Sequence, residues 1–398
     1  MKMSRRTLLA SSAAPLLFGA ESASANQAEQ TGGYASSDIF DSSSDLMRFS
    51  SDSSGLSPLA YTKILQDYIA TNDAVEDSYG SGGAIAQLEI EFAKRTGKEK
   101  AIYLPTGTMA NQLAVKLLSG EKPKVMVQDI SHYYRDEAHA AQRLHGRRLV
   151  PVKTGAAQYT VEELEHAIKE DQKGEVFPLK VGAISLENPV RRADGEVFDV
   201  DEIRKISAFA KKNKIGMHLD GARLYWASAY SGVPVKEYAK LFDTVYISLY
   251  KYLGASSGAV LCGPASIIDQ VPMLMKIHGG MMADSWTNAV VALDQLKIVE
   301  EQLAQAKKRF ADFAKAVNTS TVLRVERKEN ASNVHLLHLN GVDPKAFQNE
   351  LKEQNIEVGA DEQELGAVIP INANARILAR DSGRLVEAFK IASETANR

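Results

Sequence analysis

Cys262 is the only cysteine in a chain of 398 residues. One thiol cannot close an intramolecular disulfide, and its solitude excludes every zinc or iron–sulfur centre built from several thiolates. It sits in the apolar run Ala259-Val260-Leu261-Cys262 and reads as a packing residue. Positive charge is short as well. With 47 basic against 50 acidic residues the formal charge is −3, which provides no field to hold a nucleic-acid backbone or an anionic lipid surface. No segment reaches the roughly 20 apolar residues that a membrane-spanning helix requires. His335 and His338 lie three apart in a strand-like run, so they point to opposite faces and cannot form a metal pair; no metal site is expected. What remains is ordinary globular composition, 44% hydrophobic and 24% charged, in a chain long enough for two or three domains.

The first 25 residues read as an address rather than as structure. A basic start is followed by an apolar stretch from Thr7 to Ala20 and a small-residue end at Ala23-Ser24-Ala25. Ser4-Arg5-Arg6-Thr7-Leu8-Leu9 resembles the twin-arginine type of bacterial signal, which carries folded proteins. The expectation is an exported, periplasmic protein. Cleavage would remove three basic residues and one acidic residue, taking the formal charge from −3 to −5.

Residues 26–58 are rich in Ser, Asp and Gly and read as an arm leading into the fold. Beyond them, strand-length apolar runs alternate with amphipathic helical patterns. Strands are predicted at 100–104, 124–128, 147–152, 179–186, 215–219, 244–248 and 258–262. Helices are predicted near 84–96, from 107, near 136–144, after the capping pair Thr160 and Glu163, and after Asp199 and Glu202. This alternation implies a mostly parallel, helix-covered seven-stranded sheet in a large domain spanning 59–300. A long helix over 286–316 then leads to strands at 321–325, 333–339, 366–371 and 375–379 with helices at 343–354 and 383–396. Residues 301–398 are therefore expected to form a smaller α+β domain.

Open α/β sheets bind ligands beyond the strand ends, and four features fall there. Thr106-Gly107-Thr108-Met109-Ala110-Asn111 follows a strand and opens a helix, where backbone N–H groups and the helix dipole can meet a phosphate. Ser131-His132 lies just past a strand, and its imidazole could stack on a flat cofactor. His218-Leu219-Asp220-Gly221-Ala222-Arg223 ends a buried strand in a carboxylate, which could hold a heterocyclic nitrogen protonated. Lys251, between Tyr250 and Tyr252, follows 31 residues after Asp220, and desolvation there would make its amine a better nucleophile. Taken singly, each also has a plain reading as turn, cap, ion pair or surface residue. Their order is the one pyridoxal phosphate enzymes of the aspartate aminotransferase fold use.

These stretches resemble the threonine aldolase and β-eliminating lyase family. So do Tyr79-Gly80 ahead of Gln87-Leu88-Glu89, Pro105 to Gln112, Glu137-Ala138, Glu187-Asn188, and Leu253-Gly254 after Lys251. The resemblance spans about Arg48 to the C-terminus. It implies pyridoxal 5'-phosphate on an aspartate aminotransferase-like α/β fold (fold type I), with Lys251 carrying the cofactor, Asp220 at its ring nitrogen and His132 on its face. Gly107 and Thr108 would bind the phosphate, and Arg223 and Arg376 the substrate carboxylate. A homodimer or homotetramer is also implied, with Tyr79 reaching a neighbour's cofactor. Departures lie at Tyr250, where Ser is usual, at Pro189-Val190-Arg191 after the Glu-Asn pair, at Phe177, and at Met281-Met282. If Phe177, Pro189 and Met282 line the pocket, its wall is apolar and favours a large β-substituent over threonine. The expected reaction is retro-aldol cleavage of a β-hydroxy-α-amino acid to glycine and an aldehyde. The rivals are β-elimination or transamination on the same cofactor, and an exported binding protein without turnover.

Overall fold

The computed structural model describes residues 46–359 and 366–397. The signal-like segment and most of the serine-rich arm lie outside them. Twelve strands are described: β1 Met47–Arg48, β2 Lys100–Leu104, β3 Lys124–Val127, β4 Arg148–Pro151, β5 Val181–Glu187, β6 Gly216–Asp220, β7 Thr244–Ser248, β8 Ala259–Gly263, β9 Leu323–Glu326, β10 Val334–Leu339, β11 Ile356–Glu357 and β12 Val368–Asn372.

Strands β2 to β8 form the expected seven-stranded sheet, in the order β2-β8-β7-β6-β5-β3-β4. The pairs among β4, β3, β5, β6 and β7 are parallel, and β8 runs antiparallel to both its neighbours. β3, β5, β7 and β8 are buried at every residue, as a sheet covered on both faces requires. The strand order reverses between β3 and β5, and a crevice opens beyond the carboxyl ends at such a reversal.

Helix boundaries follow local chemistry. Thr160 and Glu163 close a reciprocal capping box on the helix Val161–Gln172. Asp199 accepts from the N–H groups of Asp201 and Glu202 at the start of Val200–Asn213. The long helical pattern expected over 286–316 is two helices, Trp286–Leu296 and Val299–Val317. A helix Pro58–Thr71, opened by the Ser57 cap, stands at the start of the expected large domain, where the sequence pattern predicted no element before the helix near 84–96.

The C-terminal region carries the three-stranded antiparallel sheet β12-β10-β9. Residues 375–379, expected as a strand, form a 3-10 helix whose start Asn374 caps by accepting from the Arg376 N–H. His335 is buried against Phe310 and His338 sits beside Glu326. Within residues 46–52, Met47 and Phe49 are buried in the core. β1 pairs in parallel with β11, and Phe49 is fully buried, stacked on Phe313 and edge-on to Phe310 and Phe389. No helix among the described residues is long and apolar enough to cross a membrane.

Candidate active site

A cavity of about 390 Å³ opens beyond the carboxyl ends of β5, β6 and β7, within the size range of small-ligand sites. One wall is the start of the helix Gly107–Ser119. Thr106 is extended and its hydroxyl accepts from the Met109 N–H, so it satisfies one of the donors a helix start leaves unpaired. Gly107 and Thr108, whose N–H groups have no intrahelical acceptor, line the cavity. A Cβ at Gly107 would overlap the Tyr246 hydroxyl, so only glycine lets the helix start sit this close to β7.

The floor is a buried polar chain. Asp220, ending β6, accepts from the Asn111 side-chain amide at 2.9 Å and from the Ala222 N–H at 3.1 Å. The same Asn111 nitrogen donates to Glu137 at 2.8 Å. Its carbonyl oxygen must then be an acceptor, which puts a hydrogen on His218 Nε2, 2.9 Å away, and leaves Nδ1 to accept from the Thr244 hydroxyl at 2.9 Å. Burial lowers His218 to about 4, so the ring is neutral and this tautomer is fixed.

His132 opens a short helix after β3. Its backbone N–H donates to Glu187 at 2.7 Å, and its Nδ1 lies 3.0 Å from Glu137 Oε1. Glu137 is raised to about 7 by burial, against the opposing pull of His132, while the hydrogen bond to Glu137 raises His132. The second oxygen of Glu137 is buried with no partner among the described residues. Glu187 also accepts from the Arg191 N–H and so ties the two loops at the cavity mouth together.

Lys251 lies three residues beyond β7, with its Nζ 5.3 Å from the Tyr250 ring centre. Burial and then the nearby Arg223 lower the amine to about 8, which enlarges the neutral, nucleophilic fraction near neutrality over that of an ordinary lysine. Its loop is anchored by the Ser54 and Gly254 N–H groups, which both donate to the Lys251 carbonyl. Arg223 is held through Nε by Asp52 Oδ2 at 2.6 Å.

Gly107, Thr108, His132, Asp220, Arg223 and Lys251 thus meet in one cavity. Other expected residues do not. Arg376 is absent from the cavity lining; its guanidinium turns to the arm and donates to the Leu46 carbonyl, with its side chain crossing under Gly55. Tyr79 stands outside this cavity with its ring half exposed. Phe177 is 86% exposed ahead of the amino end of β5, at the opposite end of the sheet, and Met282 is 53% exposed in a loop. Neither they nor Pro189 lines the cavity, so the apolar-wall argument for preferring large β-substituents falls. Arg191 and Arg192 both pair with Asp136. Asn111, Glu137, Glu187 and Asp52 join the site without having been assigned a role from sequence.

The residues present fit pyridoxal phosphate. A helix start is open to a phosphate, an amine is depressed by burial, and a carboxylate is fixed at the end of β6. An unpartnered Glu137 oxygen adds a polar atom able to meet a substituent of the cofactor.

The sequence model of the beta-eliminating lyase family matches residues 60–340. The chain is 31% identical to a low-specificity L-threonine aldolase of Candida albicans over 264 residues, 65% of this chain and 69% of that one. It is 35% identical to an alanine racemase of Cochliobolus carbonum over 224 residues, 56% of each chain. The matched stretch covers 55% of a Saccharomyces cerevisiae low specificity L-threonine aldolase, so this chain spans between about half and two thirds of such curated relatives. Among solved structures, a putative aromatic amino acid beta-eliminating lyase/threonine aldolase from Exiguobacterium superposes with a TM-score of 0.74 at 23% identity, covering 88% of this chain and 97% of that one. A putative L-allo-threonine aldolase from Listeria monocytogenes gives 0.72 at 21% identity, covering 90% and 98%. At those identities the likeness establishes the shared fold.

Proposed function

Because the chain belongs to the beta-eliminating lyase family, we propose that it is a pyridoxal phosphate-dependent lyase that cleaves a β-hydroxy-α-amino acid to glycine and an aldehyde. The observation that carries this reading is the convergence of Lys251, Asp220 and the Gly107–Thr108 helix start on one cavity. Lys251 would hold the cofactor through its amine, Gly107 and Thr108 its phosphate, and Asp220 its ring nitrogen, with His132 on the ring face. When bound, the cofactor supplies a cationic ring that accepts the electron pair left at Cα when a bond to it breaks.

The protein's own groups then have defined tasks. Arg223 binds the substrate carboxylate and so sets which bond stands perpendicular to the ring. His132, with Nδ1 held by Glu137, has Nε2 left to take the β-hydroxyl proton directly or through a water. The Asn111–His218–Thr244 chain keeps Asp220 supplied with a neutral donor on one side, so that its charge serves the ring nitrogen.

Two measurements test this. Borohydride reduction followed by peptide mapping is expected to place the cofactor on Lys251; any other lysine refutes the site. A panel of L- and D-β-hydroxy amino acids is expected to release aldehyde and glycine. Keto acid with ammonia would mean elimination or transamination, racemised alanine would mean the chemistry named for the fungal relative, and binding without product would mean a binding protein.

Export is part of the same proposal, and the motif Ser4-Arg5-Arg6-Thr7-Leu8-Leu9 supports it. Replacing Arg5 and Arg6 by lysine is expected to leave the protein inside the cell; continued export would favour an ordinary secretion route. A homodimer or homotetramer is proposed as well, with the exposed Tyr79 serving a neighbouring subunit, and light scattering of the native protein checks it.

A further inference from the structure

We infer that Asp52 is a positioning residue for the substrate-carboxylate site: it takes the Nε edge of Arg223 and leaves the two terminal nitrogens for the ligand. This inference rests on the role given above to Arg223.

Arg223 Nε lies 2.6 Å from Asp52 Oδ2, and the two side chains are only 11% and 14% exposed. A guanidinium can offer a carboxylate its Nε edge or its terminal pair. With Nε engaged, the terminal pair remains, and Arg223 lines the cavity. Asp52 is itself held. Its Oδ1 lies 3.5 Å from Asn333 Nδ2, just before β10, and 3.4 Å from Asn372 Nδ2, at the end of β12. The backbone around it is pinned by Asn374, which donates to the Arg48 carbonyl at 2.7 Å and the Ser51 carbonyl at 3.0 Å, and by the Ser54 N–H donating to Lys251. Gly55, with φ +84°, crosses Arg376 where a Cβ would overlap that side chain. A carboxylate merely passing near an arginine would not be gripped from both sheets at once. Asp52 also belongs to the charged groups facing Lys251, which are Arg223, Asp52, Asp220 and Glu187, and its charge helps that amine keep its proton.

The test uses Asp52→Asn and Asp52→Glu with glycine, the product of the proposed reaction, as the probe. Glycine is titrated into cofactor-loaded protein and followed by the visible absorption of the cofactor, and KM and kcat are measured separately. In cofactor-free protein, the pH dependence of Lys251 acetylation by acetic anhydride gives the midpoint of the amine. Asp52→Asn is expected to weaken glycine at least tenfold, to raise KM more than it lowers kcat, and to move the Lys251 midpoint down by about one pH unit. Asp52→Glu keeps the charge and displaces the carboxylate, so it is expected to preserve the midpoint while still weakening glycine. It also carries the test should the asparagine variant not fold. Tighter glycine binding in Asp52→Asn would make Asp52 a competitor for the substrate site and overturn the inference, as would unchanged binding in both variants. If glycine fails to bind the wild-type protein, the functional reading itself fails, and with it the role of Arg223.

Discussion

Glu137 serves two donors with a single oxygen, accepting from Asn111 and lying against His132, while its other oxygen is buried without a partner among the described residues. The pair shares one proton, so its titration belongs to both groups. The hydrogen bond to Glu137 raises His132, and a histidine acting as a base works only above its pKa. Glu137→Gln removes that charge and is expected to move the acid limb of the kcat/KM profile to lower pH, by about one unit. An unmoved limb would show that His132 is not the base. Six residues of this site were legible in the sequence because their chemistry stands at strand ends. Asn111 was not, although it lies in a quoted motif, because its partners His218 and Asp220 are 107 and 109 residues away. Asp52 was hidden in a serine-rich stretch that offers no periodic pattern.

At the scale of elements, the helix Gly83–Thr96 is tied to β2 by Glu89, whose Oε1 accepts from the Tyr103 N–H at 2.9 Å. Burial, with Asp77 adding to it, raises Glu89 to about 7 from an ordinary 4.5. A carboxyl raised in the folded state favours folding fully below pH 4.5, and that contribution is lost as the pH rises through about 7. Glu89→Gln keeps the acceptor without the charge, so its melting temperature is expected to exceed that of the wild type at pH 8, by the equivalent of about 1–3 kcal/mol, and to match it near pH 5. Equal pH profiles would refute the raised pKa. All seven sheet strands were legible as short apolar runs, since β3, β5, β7 and β8 are buried at every residue and β2, β4 and β6 over at least half of theirs. The 3-10 helix at 375–379 was misread because buried Ala375 and Ile377, two apart, imitate strand alternation. The break between the two long helices carries neither Gly nor Pro and left no mark. The helix Pro58–Thr71 did have a signal, a Ser cap followed by Pro, lost within the composition of the arm.

Across the whole molecule, the segment around β1 joins regions far apart in the chain. Phe49 packs on Phe310, Phe313 and Phe389, and Arg48 pairs with Glu357. Phe49→Ala is expected to cost about 3–5 kcal/mol in a denaturant titration, as aromatic truncation in a packed core does. A loss below about 1 kcal/mol would mean the segment only decorates the surface. The same pairing imposes an order on biosynthesis. Arg48 leaves the ribosome 309 residues ahead of Glu357, and Asp52 precedes Asn372 by 320. Lys251 precedes Asn372 by 121 residues, so at about 5–20 residues per second the nascent chain has Lys251 and Asp220 for roughly 6–24 seconds before the grip on Asp52 and Arg223 is finished. The proposed carboxylate subsite is therefore completed only after translation has nearly ended, and a polypeptide arrested before Ile356 would hold Lys251 beside an Arg223 whose partner Asp52 lacks the Asn372 side of its grip.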